Sequence, residues 1–433
     1  MKIRFGFLKL LPILAVLATT KVFWEFGFST SAADQEPEQL KYLNYALLGG
    51  SLAAIFLFWR YLEPLIRNWL IVVLLAVFGL ALESYARAGT WLEYPHVFNK
   101  LFVLLNIFGI YAFYRRYGPP SSRQLLNILL LVLITNLLLF HRDSLSLSAF
   151  VENERGFNSG SAYLFVVVLL FCLNRYLTQG AFFSLLIAFA CLPIIIFLQH
   201  RSVWIATAIA VPIDILLLRR AKTVNFSVVK LLALIVLPLM LGGLGITMLV
   251  LDNPKVVERF DQSLDDIANA DKQGTGSWRL QQIESYLPLV QDRPIAGWRL
   301  EGFEVPMQFY DPSSDMPMWK DHTGHHFHNF YLDRAFYFGI IGILMVVLIP
   351  IIRIIRRLNQ FRHLSSDAAA LIAYFGSLIV FGTSYDWSTY HYGLIGLMLA
   401  VIAEPIPVAT AAQPHIEQEP AEEPVELPMP LPA

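Results

Sequence analysis

Charge is what this sequence has least of. Only 15% of its 433 residues are Asp, Glu, Lys or Arg, whereas a soluble chain carries about a quarter. The net charge is −1, so no global field draws the chain to nucleic acid. Cysteine is also scarce: Cys172 and Cys191 both lie inside apolar runs and read as small packing residues, not as a disulfide or a metal pair. No phosphate-binding glycine loop, Gly-x-Ser-x-Gly elbow or CxxC pair occurs, and no internal repeat is visible. What fills the chain is apolar, with 56% hydrophobic residues and a mean hydropathy of +0.55.

Segments long enough to span a bilayer recur from end to end. They fall near 8–28, 43–59, 68–86, 97–114, 125–140, 159–177, 181–199, 203–218, 230–251, 328–352, 368–384 and 388–404. The expected fold class is therefore an all-α polytopic membrane protein with about twelve transmembrane helices. The first segment has the look of a signal peptide, since Lys2, Arg4 and Lys9 precede an apolar core and Ser31-Ala32-Ala33 resembles a cleavage site. That site lies too far beyond the core, and an uncleaved first helix is expected.

The basic residues set the orientation. With the N-terminus in the cytoplasm, one set of loops gathers Lys2, Arg4, Lys9, Arg60, Arg67, Arg115, Arg116, Arg123 and Arg175. Arg219, Arg220, Lys222, Lys230, Arg353, Arg356, Arg357 and Arg362 continue the same set. The short loops opposite hold only Lys41, Arg87, Lys100, Arg142, Arg155 and Arg201. Both termini are expected in the cytoplasm. Four regions follow: helices over 1–251, one large outward loop over 252–327, helices over 328–404, and a Pro/Glu-rich, disordered tail over 405–433. Within the loop, amphipathic helices are expected around Val256–Ala268 and Trp278–Val290. Gly274-Thr275-Gly276-Ser277 reads as a turn and cap that puts Arg279 in a first helical turn, where an anion is favoured.

The loop ends at His325-His326-Phe327-His328-Asn329-Phe330. Read as a helix, His328, Leu332, Ala335, Gly339 and Gly342 share a face whose small residues admit a neighbouring helix. A fixed imidazole at a membrane boundary is a usable acid or base near neutral pH, and it is equally a common interface histidine. Arg201, at the junction of two spans, is placed either for function or for snorkelling. Arg201, Arg279 and Arg299 together could fork onto a diphosphate. His322, His325, His326 and His328 invite a zinc reading, but the nearby carboxylates are scattered and offer no defined ligand spacing. Trp278, Trp298, Phe303, Phe309, Tyr310 and Trp319 could stack on sugars or form an interfacial belt.

His328-Asn329, nine residues, then Gly339-Ile340-Ile341-Gly342 resembles the His-Asn-x9-Gly-x-x-Gly signature of bacterial O-antigen ligases, in the O-antigen ligase and polymerase superfamily. Ile343 stands where that pattern often has Thr or Ser. Trp278-Arg279 through Pro294-Ile295-Ala296-Gly297 looks like the family's Arg…Pro-x-x-Gly-x-Gly stretch, with Arg299 in place of the second Gly. Arg201 before Trp204 is similar to a basic position the family carries at a helix junction.

The resemblance implies a metal-independent glycosyltransferase of GT-C architecture, without cofactor, on the periplasmic side of the bacterial inner membrane. Its donor would be an undecaprenyl-diphosphate-linked O-antigen chain and its acceptor a hydroxyl of lipid A–core, both met among membrane lipids. On that reading His328 is the general base and Arg201 and Arg279 hold the diphosphate. His326, Arg299, Asn329 and Trp298 contact substrate. An O-antigen polymerase or a protein O-oligosaccharyltransferase would use the same donor. A transporter would instead show half-repeats and polar residues near the midplane, whereas here the polar clusters sit at the outer boundary.

Overall fold

The computed structural model describes residues 5–28, 38–220, 230, 254–269, 274–309, 325, 327–360 and 364–403. Contacts gather Met1–Ile402 into one unit, in which every element below lies. Among the described residues the fold is helical throughout. Three short helices open the chain, α1 (Phe5–Leu8), α2 (Leu11–Leu17) and α3 (Lys21–Phe28), followed by α4 (Glu38–Leu57), α5 (Pro64–Ala88), α6 (Pro95–Phe102) and α7 (Leu105–Tyr117). Next come α8 (Ser122–Phe140), α9 (Leu147–Glu152), α10 (Ser159–Gln179), α11 (Phe182–Phe197) and α12 (Arg201–Arg220). The segment read as the outer loop supplies α13 (Pro254–Ala268) and α14 (Gly274–Asp292), and the chain closes with α15 (Phe330–Gln360), α16 (Ser366–Phe381) and α17 (Thr389–Ile402).

Seven helical segments among the described residues are long and apolar enough to cross a membrane, with α6 and α7 counted as one, and α11, α16 and α17 are shorter apolar helices. This is the pattern of a multi-pass membrane protein. The expected first span is instead three pieces. Pro12 starts α2, and the Thr19 and Thr20 hydroxyls then bond back to the carbonyls of Val16 and Leu17, closing that helix. The expected ninth span, 230–251, and the tail lie outside the described residues apart from Lys230. Helix α10 is buried along nearly its whole length, packed by α11 and α16, while α7 packs α17 and α4. By contrast α5 turns Leu75, Phe78 and Leu82 outward, as a lipid-facing helix does.

Helix α15 contains the main departure from ideal geometry. Gly339 has φ 60° and ψ −158°, a region open essentially to glycine alone. The ladder breaks there and is rebuilt by the turn Pro294–Gly297. Ile340 N–H donates to Pro294 O (2.8 Å) and Ile341 N–H to Ile295 O (3.2 Å), while Phe336 O accepts from Trp298 N–H (2.9 Å). Gly297, itself at φ 63°, lies so close that a Cβ on it would strike the backbone of Tyr337, Phe338 and Gly339. A Cβ on Gly339 would strike Ile295 and Ala296. The small face of α15 therefore receives a loop turn, where a neighbouring helix was expected. Gly339→Ala should lower folding stability by roughly 3 kcal/mol or more. Ile340→Ala, at a half-exposed neighbour, should stay close to wild type; thermal unfolding of the detergent-solubilised proteins compares them.

Candidate functional site

The site is built around the start of α15. Asn329 caps that helix: its Oδ1 accepts the N–H groups of Tyr331 (2.8 Å) and Leu332 (3.0 Å), a contribution of about 1 kcal/mol. Its Nδ2 donates to Thr383 O (2.9 Å), and Phe330 N–H donates to Gly382 O (2.9 Å). These bonds pin the 382–388 loop, between α16 and α17, beside His328. The imidazole is thus fixed just outside the helix, not on its face as expected. The Asn329 amide, expected on substrate, is bonded to the protein's own backbone. Trp278 meets His328 edge-on, with ring centroids 5.2 Å apart.

His328 lines a cavity of about 370 Å³ with Lys100, Asn158, Asp333, Tyr385, Asp386 and Ser388, among others. Part of its wall is a charge-balanced cluster. Lys100 and Arg334 both pair with Asp333, Arg334 also donates to the Tyr392 hydroxyl (2.8 Å), and Asp386 lies 3.9 Å from Arg334. Burial pushes the Asp386 carboxyl above the usual range, Asp333 adding to the rise and Arg334 and Lys100 opposing it. It nevertheless retains 39% side-chain exposure. A carboxyl on a cavity wall combines the two, surrounded by protein yet open to the enclosed space.

Arg279 reaches the wall of this cavity, and further arginines lie within its electrostatic reach. Arg279 lies over the rings of Tyr385 (4.7 Å) and Trp278 (5.2 Å), and its Nε is buried without a hydrogen-bond partner. Helix α14 starts at Gly274, so Ser277 is no cap and Arg279 lies beyond the first turn; stacking on rings positions it, not free N–H groups. Arg201 opens α12 and pairs with Asp266 of α13. Arg155, Arg259 and Arg279 all act electrostatically on Arg201. A cation at a helix N-terminus is opposed by the dipole, so this arrangement suits an incoming anion. The junction before it is built for the purpose. Gln199 holds φ 56° with its amide on Ala149 O (3.2 Å), and His200 Nε2 donates to Phe157 O (2.6 Å).

His325 is spent on structure. Its Nε2 donates to Val305 O (2.8 Å), and Nδ1 accepts the Tyr286 hydroxyl of α14. Among the described residues no group of three or more His, Cys, Asp or Glu side chains is placed to hold a metal ion. Arg299, at φ 49°, bonds Glu83 of α5 (2.6 Å). Trp298 donates its indole N–H to Leu289 O (2.7 Å) and carries Arg293 on its ring. His326 lies outside the described residues. The structure thus brings together His328 and Arg279, with Arg201 within electrostatic reach of Arg279. Sequence reasoning missed Arg155, Arg259, Tyr385, Asp386 and the Lys100–Asp333–Arg334 cluster. The Asp333-Arg334 pair inside an apolar run was the available signal, since such charges in a span are costly and functional by default.

Taken together, these features define a multi-pass membrane protein with cationic groups and an imidazole gathered at a polar cavity. The family model described as O-Antigen ligase matches residues 185–347, a stretch holding Arg201, Arg279 and His328. The match, over well under half of the chain, is a similarity to the O-antigen ligase superfamily, which supports a ligase- or polymerase-type function in general terms. A search of the curated proteins finds no match.

Burial holds the His200 imidazole down to about 4, with the charges of Arg155 and Arg279 adding to the effect. Between its ordinary 6.5 and that value the unfolded chain takes up a proton that the folded chain refuses. Stability should therefore fall by about 2 kcal/mol between pH 7 and pH 5 on this account. His200→Gln, whose amide can still donate to Phe157, should flatten that part of the pH dependence of thermal unfolding.

Proposed function

We propose that the chain is an O-antigen ligase, transferring O-antigen polysaccharide from undecaprenyl diphosphate to a hydroxyl of lipid A–core at the periplasmic face of the inner membrane. The carrying observation is Arg279 stacked over Tyr385 in the wall of the cavity that His328 lines, with Arg201 in the electrostatic reach of Arg279, Arg155 and Arg259. In this reading the donor diphosphate lies on the arginines, and the acceptor hydroxyl enters the cavity beside His328. The His328 imidazole takes the hydroxyl proton as that oxygen bonds to the anomeric carbon. The bond from that carbon to the diphosphate oxygen breaks, and the leaving group departs with the electron pair. Fixed guanidinium groups stabilise charge growing there at little reorganisation cost, and their planar forks match phosphate geometry. GT-C architecture, a twelve-span topology with both termini cytoplasmic and the four regions bounded near 251, 327 and 404 belong to the same proposal. A polymerase or a protein O-oligosaccharyltransferase would share the donor and differ in acceptor.

The test is lipopolysaccharide profiling of a ligase-deficient bacterium with a matching donor and core. The native chain should restore the O-antigen ladder, and equally expressed Arg279→Ala and His328→Ala forms should not. With purified substrates, His328→Ala should lose about 10²–10⁴-fold in rate, and Arg279→Lys should recover little. A ladder restored by all three forms would remove the site assignment. No ladder, with glycosylated pilin instead, would replace lipid A–core by a protein acceptor.

A further inference from the structure

A second cavity, of about 390 Å³, lies next to the first and has no part in the chemistry above. The two meet at Asn158, Gly160 and Ser388, which line both. Its remaining wall includes Thr19, Thr20, Lys21, Trp24, Asn44 and Thr389. Four separate parts of the chain supply it: the α2–α3 junction, α4, and the starts of α10 and α17. The broken first segment is what makes it possible, because the turn between α2 and α3 brings two threonines and a tryptophan to the cavity where a continuous span would present an apolar face.

The lining chemistry narrows the occupant. Among the described residues the one cation of the wall, Lys21, is matched by Glu25 at 3.6 Å, so they offer no unbalanced charge to a phosphate or carboxylate. It is too rich in hydroxyls and amides to take a lipid tail, whose burial there would strand them. The Thr19 and Thr20 hydroxyls give their protons to Val16 O and Leu17 O, and each keeps acceptor capacity. Asn44 is exposed on α4, and Trp24, itself mostly buried, presents an edge of its ring to the wall. Hydroxyl and amide groups around an indole suit an uncharged sugar, which presents alternating O–H donors and acceptors above an apolar C–H face. The volume is within the range of about 300–1,000 Å³ that ligand pockets occupy.

We infer that this second cavity is a saccharide subsite, holding sugar residues of one substrate beyond those that react beside His328. The inference rests on the ligase reading for its place in the reaction, but binding itself can be measured without catalysis. Two probes distinguish the source: delipidated core oligosaccharide, and O-antigen polysaccharide released from its carrier. Binding of each to the purified full-length protein is measured by saturation-transfer NMR, for the native chain and for Asn44→Ala, Thr389→Val and Trp24→Leu. One probe should bind the native chain and weaken roughly three- to tenfold in each variant, as loss of a hydrogen bond or ring contact implies. In the transfer assay the KM for that same substrate should rise by a similar factor with kcat unchanged, and a version trimmed to its reacting sugars should be insensitive. Asn44, being exposed, keeps the test decisive if the Trp24 variant fails to fold. Equal binding of both probes by native and Asn44→Ala proteins, or no binding of either, overturns the subsite. Variant-sensitive binding without any transfer would keep the subsite and overturn the ligase reading instead.

Discussion

Inside a membrane a broken helix must find partners for its freed backbone groups, because unsatisfied ones cost several kcal/mol each in hydrocarbon. Here that requirement is met by one interlock, the Pro294–Gly297 turn bonded into the gap at Gly339. The candidate site hangs from it. The turn follows directly on α14, so docking the turn sets where that helix ends. Tyr286 of α14 then packs on Phe327 (4.8 Å) and Phe336 (5.5 Å) and donates to His325. With α14 held at one end by the backbone and at Tyr286 by rings, Arg279 is left above Tyr385, beside the cavity that His328 lines. The two glycine motifs act as one structural device, and the chemistry sits outside both.

Charge is deployed in two opposite ways around the cavity. Lys100, Asp333, Arg334 and Asp386 balance one another, which is the condition for keeping ions in a low-dielectric interior. They bind α6, α15 and the 382–388 loop into a wall. The arginine group differs: Asp266 pairs with Arg201, while among the described residues Arg155, Arg259 and Arg279 act on it as like charges. Repulsion of that kind is unfavourable unless an anion relieves it, so the surplus stores affinity for a multiply charged ligand. Asp266 also sets a limit, since an anion reaching Arg201 must share the guanidinium fork with this carboxylate or displace it.

Much of this was legible in the residue pattern. The apolar periodicity located most spans, and the two amphipathic helices of the outer segment appear as α13 and α14. His328 and Arg279 were readable because their motifs are local in sequence. The roles of Asn329 and Gly339 were less so. The resemblance gave Asn329 as a substrate contact beside His328, whereas capping geometry turns its amide onto the backbone. A helical wheel placed Gly339 on a smooth face because periodicity assumes the ladder it breaks. Tyr385 and Asp386 left no local signal. They are brought to His328 only by the bonds from Asn329 and Phe330 to the residues just before them.

That last point bears on where specificity resides. The family match ends at residue 347 and begins at 185, so it contains His328, Arg201, Arg259, Arg279 and the glycine interlock. The cavity wall at Lys100, Asn158, Tyr385, Asp386 and Ser388 comes from outside that span, as does the entire second cavity. A transferase needs the same diphosphate chemistry whatever it glycosylates, while the acceptor differs from case to case. On the proposed reading, the shared chemistry falls in the matched span, and residues before and after it are where shape can change without disturbing the arginines. On this division, exchanging the 382–388 loop between related chains should move acceptor choice, whereas exchanging α14 should change rate on every acceptor alike.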